Sequence, residues 1–350
     1  MHSVTIDAGV LAAPSGSVHR EEVYDYIDTL LDWSRLLEEP WISIYMSERA
    51  SETLIESGLY PLRDSLRNLF SSKGVTEYDV NTVVVVAERL LQMTPYFETY
   101  FRIKDVLLEN LVTEPDVLSL TVGEGMASDL GRCIVLFALL RKHCANAVRN
   151  HTLILKRIPS SGSILVRAVI HAIEHSRDDL SDFAQAPEVF NGSVLACRDF
   201  RGLISNIDES AVWLAATDET GKEIAIRIAV YKSRINRGLD QVWDINLPLR
   251  FGRRFLAKVD DLCNSVDTED FISKLLRSMT ETIEGENMAA VHALRINDSG
   301  GSPQRIRVSD QAKAWRRDID YEFHLHYWEC DGGIIEFGSV GPHNASDLPE

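Results

Sequence analysis

What the chain lacks narrows its class first. Its 350 residues contain five cysteines, Cys133, Cys144, Cys197, Cys263 and Cys330, widely spaced and without a CxxC pair. That spacing argues against a disulfide scaffold and against a cysteine zinc site. No stretch approaches the roughly 18 uncharged apolar residues that span a bilayer. The opening MHSVTIDAGVLAAPSGS has no basic region ahead of its apolar run, and Asp7 interrupts that run, so no secretory leader is expected. There is no GxxxxGKS/T loop, no GxGxxG after a strand and no GxSxG elbow, which argues against P-loop, Rossmann and α/β-hydrolase chemistry. The expectation is a reduced, cytoplasmic protein with no membrane association.

Positive charge is also scarce. Lys and Arg number 36 against 53 Asp and Glu, a net charge of −17. The deficit is uneven: residues 1–140 hold 10 cations against 22 acids, residues 141–260 hold 18 against 14, and the remainder holds 8 against 17. A globally acidic chain is a poor generic nucleic-acid binder, because phosphate contacts need clustered cations. The basic middle is the exception, with Arg227, Lys232, Arg234, Arg237, Arg250, Arg253, Arg254 and Lys258 within 32 residues. These residues are candidates for holding an RNA or DNA backbone, or else pair with acids of the same chain.

Composition is otherwise that of an ordinary globular protein, 45% hydrophobic and 25% charged, with length for about two domains. Apolar runs at 3–6, 41–46 and 151–156 predict strands, and helical spacing predicts helices over 21–37, 47–58, 61–70, 79–93, 96–110 and from Ser128 onward. Strands alternating with helices imply a parallel sheet under helical cover, so residues 1–158 are expected to form an α/β domain. A boundary is expected near 159–162. An α+β domain over 159–290 follows, with a helix at 164–176, a hairpin AVWLAA–DETG–KEIAIRIAVY and a helix at about 268–284. Residues 291–350 end in an aromatic hairpin around Asp331-Gly332-Gly333.

The acids of the first domain are the leading chemical candidates. Asp7 closes the first strand, where ligands sit in open α/β sheets. Glu48 and Glu52 lie one helical turn apart after the second strand, Asp129 lies at the start of a later helix, and Glu124 stands just before that helix. Carboxylates converging from such places repel one another unless cations lie between them, and hard oxygen ligands suit Mg²⁺ or Mn²⁺. The arrangement resembles the PIN-like ribonuclease fold over roughly residues 1–157, through Asp7 in TIDAGVL, Glu48 or Glu52 in MSERASE, and Asp129 in ASDLGRCIVLFAL. The resemblance implies a metal-dependent nuclease acting on RNA, with Asp7, Glu48 and Asp129 catalytic and holding the metal, and Glu52 and Glu124 auxiliary metal ligands. By analogy alone this would suit a bacterial toxin or phage-defence component. Against it stands a second expectation, a non-catalytic scaffold that binds a partner protein, favoured by the altered motif Asp7-Ala8-Gly9 and the negative charge.

Two further patterns carry chemistry. Arg305, Arg307, Lys313, Arg316 and Arg317 precede a hairpin holding His324, His326, Tyr327 and His343, a set able to cleave RNA without metal. Its ending, LHYWECDGGIIEFGSVGPHN, is faintly similar to the last strands of RelE-type ribonucleases. Alternatively the hairpin uses its aromatics for cross-strand packing and carries His324 and His326 as polar surface residues. His171-x-x-Glu174-His175, if helical, places two histidines at metal-ligand spacing, as in inverted zincin peptidases.

Overall fold

Strands covered by helices on both sides bury both faces, and residues 2–6 and 42–46 do so almost throughout. The computed structural model describes residues 2–15, 17–148, 150–158, 162–180, 187–239, 243, 246–297, 301–343 and 347–349. The chain divides into two units, Met1–Asn206 and Ile207–Glu350. Among the described residues no helix is long and apolar enough to cross a membrane, and all five cysteines are free thiols.

The first unit runs β1 (His2–Ile6), α1 (Ala8–Leu11), α2 (Arg20–Leu36), β2 (Ile42–Met46), α3 (Ala50–Glu56), α4 (Arg63–Lys73), α5 (Val80–Met93), α6 (Phe97–Phe101), β3 (Ile103–Glu114), α7 (Val117–Leu120), α8 (Glu124–His143), α9 (Ala145–Val148), β4 (His151–Ile154), β5 (Gly162–His175), β6 (Glu188–Cys197) and α10 (Phe200–Asn206). Its sheet has the order β2-β1-β4-β6-β5-β3. The first four strands are mutually parallel, and β5 runs antiparallel to both β6 and β3. The unit is thus mixed α/β with a largely parallel sheet.

Helix α8 runs through the core, burying every residue from Asp129 to Leu140. Phe137 stacks on His151 at 4.1 Å between ring centres and meets Phe97 and Phe101. Gly131 allows α8 to approach β3: a Cβ there would lie 2.8 Å from a methyl of Leu111. The TVVVV run is helical despite its β-branched residues. Asp79 accepts from the Thr82 N–H at 2.9 Å, capping α5, and Val83, Ala87, Leu90 and Leu91 face inward.

The structure departs from the sequence expectations here in several places. A turn of helix, α1, begins directly after Asp7, in a stretch for which the spacing predicts no helix. The helix expected at 96–110 stops at Phe101 and continues as β3, and α8 starts at Glu124, ahead of Ser128. Residues 164–176 form β5, not a helix: Ile164, Val166, Ala168 and Ile170 are buried while their neighbours face outward, a period of two set by strands on both sides. Because β5 and β6 belong to this sheet, the α/β layer runs past the boundary expected at 158/159; residues 159–161 themselves lie outside the described residues.

The second unit runs α11 (Glu209–Ala215), α12 (Glu219–Arg237), β7 (Leu249–Phe251), α13 (Phe255–Cys263), α14 (Thr268–Ile283), β8 (Val291–Ala293), β9 (Lys313–Asp318), β10 (Phe323–Glu329) and β11 (Ile335–Pro342). Its sheet, β7-β11-β10-β9-β8, contains the expected hairpin β10–β11 and is antiparallel except where β7 joins β11. One face packs Leu325, Tyr327 and Phe337 against Trp213, Phe255, Ile272 and Met279 of the helices.

The expected hairpin at 211–231 is instead the helix pair α11–α12. The alternation in KEIAIRIAVY imitates a strand, but Ile224, Ala225, Ile226, Ile228, Ala229 and Val230 are all buried. Caps settle the matter at both ends. Asp218 accepts from the Gly221 N–H at 2.8 Å, and Gly238 closes α12 in the left-handed region at φ 67°. Asp218→Ala should lower the unfolding free energy of the second unit by about 1 kcal/mol, read as a lower urea midpoint with an unchanged slope.

Candidate functional site

The carboxyl ends of β1 and β2 meet the start of α8, and polar side chains collect there because the parallel strands end together. Asp7 follows β1. Its backbone N–H donates to the Ile154 carbonyl at 3.0 Å, and its Oδ2 accepts from the Gly9 N–H at 2.8 Å. Gly9 permits this return: a Cβ there would lie 2.7 Å from Asp7 Oδ2. Burial pushes the Asp7 carboxyl up to about 7. The Gly9 N–H opposes that rise, and the charge of Asp129 reinforces it.

Asp129, whose charge Asp7 feels, is bonded in turn by an arginine with nearly all its donors engaged. Arg132 Nε donates to Asp129 Oδ1 at 2.9 Å, Nη1 to the Lys104 carbonyl at 2.6 Å, and Nη2 to Ser47 Oγ at 2.7 Å and Glu98 Oε1 at 2.6 Å. Its guanidinium lies over the Phe97 ring. Arg132 and Glu98 are almost fully buried, with 5% and 2% of their side chains exposed. Burial raises the Glu98 carboxyl, the bond from Arg132 acting against it. The second Glu98 oxygen accepts from the Glu48 N–H at 3.1 Å.

Of the five acids singled out from sequence, the fold brings Asp7 and Asp129 close enough to feel each other's charge. The side chains of Glu48, Glu52 and Glu124 are exposed. Glu98 takes their place in the cluster. The available signal was one acid set among aromatics in PYFETYF, in a stretch expected to be helical.

This donor set does not suit Mg²⁺ or Mn²⁺. Glu98 and Asp129 are neutralised by a guanidinium rather than left as bare carboxylates. Among the described residues no three His, Cys, Asp or Glu side chains are grouped to share an ion.

The basic segment is mostly internally paired. Lys232 bonds Glu209 at 2.6 Å, Arg234 bonds Glu284 at 2.8 Å, and Arg237 bonds Glu284 and Glu286. Arg250 bonds Glu336 and Lys258 bonds Asp347, each at 2.5 Å. Arg227 lies over the Trp243 ring. Arg253 and Arg254 are exposed and make no ion pair among the described residues.

The C-terminal Arg/His block is far more buried than a surface hairpin. Arg317 is fully buried and donates to Glu281 at 2.7 Å, and Arg307 bridges Asp310 and Glu336. His324 and His326 are buried, not surface residues. His324 Nε2 lies 2.8 Å from His343 Nδ1 and 3.0 Å from Asp318 Oδ1, and burial lowers the His326 imidazole to about 4. His171 and His175 sit on strand β5, where four residues span about 13 Å. Their contacts go elsewhere, to Glu109 and to the Arg177 N–H, so the helical zinc spacing does not arise.

The state of Asp7 has a measurable consequence. The folded chain holds this proton more tightly than an unfolded one, so the stability it contributes is full below about pH 4 and is lost as pH rises to about 7. Asp7→Asn, which keeps an acceptor for the Gly9 N–H, removes that loss. The variant should be the more stable protein at about pH 8, by up to about 4 kcal/mol, and the advantage should vanish below about pH 4 in denaturant titrations. Comparison of the chain with protein-family models, with curated proteins and with solved structures finds no match.

Proposed function

We propose that this chain is a non-catalytic binding subunit whose first unit uses a PIN-like α/β scaffold without the metal centre of a nuclease. The observation that carries this reading is the buried Arg132 guanidinium, bonded to Glu98, Asp129 and Ser47, in the place where a hard-cation nuclease concentrates bare carboxylates. An arginine cannot give up its charge and is not displaced without leaving Glu98 and Asp129 unpaired in a buried setting. A protein partner is supported by the sheet edge at β3, where Leu107 and Val112 are exposed, with Leu165 and Val189 exposed on the neighbouring strands. The internal pairing of Lys232, Arg234, Arg237, Arg250 and Lys258 also leaves few free cations for a phosphate backbone.

A second reading, the Mg²⁺- or Mn²⁺-dependent nuclease, draws support from the closeness of Asp7 and Asp129. The two readings separate in one experiment. Single- and double-stranded RNA and DNA are incubated with Mn²⁺, Mg²⁺ or EDTA, and thermal unfolding is followed with and without each metal. The binding-subunit reading expects no metal-dependent cleavage and no rise in Tm. Metal-dependent cleavage abolished by both Asp7→Asn and Asp129→Asn would establish the nuclease instead. Cleavage that survives EDTA and both substitutions would move activity to the Arg/His block.

A further inference from the structure

A cleft of about 500 Å³ opens in the first unit, apart from the Arg132 cluster, a size typical of small-molecule sites. Its position follows from the strand order. The chain leaves β1 through α2 to reach β2 on one side of the sheet, while β4 lies on the other side of β1. The connections therefore diverge at the carboxyl ends of β1 and β4, and open α/β sheets bind ligands at such a point.

The cleft has two walls of opposite charge. On one side Lys156 and Arg157 follow β4, and Arg198 follows β6 directly. None of these three cations makes a side-chain hydrogen bond or ion pair among the described residues, whereas the basic segment of the second unit is largely paired. Lys156 is half-buried; burial lowers its pKa, the charges of Asp25 and Glu22 oppose that shift, and the charge of Arg198 adds to it. Lys156 and Arg198 repel each other, and a phosphate between them would relieve both that repulsion and the desolvation of the ammonium. Asp199 lines the cleft beside Arg198, and the acidic side of α2 contributes Glu22, Asp25, Asp28 and Asp32; of these Asp25 is exposed and makes no side-chain hydrogen bond or ion pair among the described residues. Its charge acts on Lys156, yet no ion pair closes between them.

We propose that this cleft binds a small phosphate ester, its phosphate held by Lys156, Arg157 and Arg198 and its hydroxyl groups donating to Asp25. A planar guanidinium fork matches phosphate oxygens in pairs, and a free carboxylate accepts from vicinal hydroxyls. A phosphorylated sugar and a nucleotide share this chemistry.

Calorimetric titration at low salt with ribose 5-phosphate, AMP, adenosine and inorganic phosphate tests the assignment. At least one ester should bind, and adenosine should not. Binding by ribose 5-phosphate as tight as by AMP assigns the site to sugar phosphates; a clear preference for AMP assigns it to nucleotides. Arg198→Gln, at an exposed position that leaves the fold intact, and Lys156→Gln should each weaken the ester at least tenfold. Asp25→Asn should weaken the ester but leave inorganic phosphate unchanged. The proposal is overturned if neither ester binds, if inorganic phosphate binds as tightly as the esters, or if binding is indifferent to Arg198→Gln and Lys156→Gln in protein of unchanged Tm.

Discussion

A guanidinium removed from water is tolerated only where acceptors meet its donors in a fixed plane, and the first unit is arranged around one that satisfies this condition. Arg132 ties together the end of β2 through Ser47, helix α6 through Glu98, the start of β3 through the Lys104 carbonyl, and its own helix through Asp129. Those four attachments set where α8 lies against the sheet. They also decide the chemistry of the edge, because each carboxylate that bonds the arginine is withdrawn from any other cation. Asp7, left outside the arginine's reach, responds to burial and to the Asp129 charge by holding its proton.

The second unit applies the same rule with different residues. Arg317, fully buried, is met by Glu281 and by the carbonyls of Glu286 and Asn287; Arg307 is met by Asp310 and Glu336. Breaking one such pair costs about 3–5 kcal/mol, although an apolar replacement of the whole set is often neutral. Pairs of this kind therefore specify how α14 and the sheet strands meet more than they add to stability. The histidines of β10 follow the opposite course. With His324 and His326 buried, the fold favours their neutral forms.

Topology explains why two polar regions share one edge of the first sheet. Parallel strands deliver all their carboxyl ends to the same side, so the loops after β1, β2, β4 and β6 gather there. Where those loops are covered by α6 and α8, polar groups must satisfy one another, and the Arg132 cluster results. Where they open beside α2, Lys156, Arg157 and Arg198 have no ion-pair partner among the described residues, and the cleft results. A single constraint yields a closed, self-neutralised cluster and an open, charged one.

Features that depend on neighbours along the chain were legible in the sequence: the buried strands β1, β2 and β4, helices α2, α5 and α14, the β10–β11 hairpin around its Asp-Gly-Gly turn, and the placing of Asp7 at a strand end. Local caps and continuous apolar runs determine these elements, and both are written in adjacent residues. Whether ILVRAVIHAI is strand or helix, and whether KEIAIRIAVY is helix or strand, was settled by what lies on either side, since alternating and fully buried patterns overlap in such short stretches. The composition of the site was likewise a tertiary outcome. Asp7 and Asp129 are 122 residues apart in the chain, and nothing local told that Arg132, three residues beyond Asp129, turns inward while Glu48, Glu52 and Glu124 remain in water. Sequence determined which acids stand at strand and helix ends; only the packing of α8 against the sheet decided which of them lose water, and a charge that loses water must find a partner.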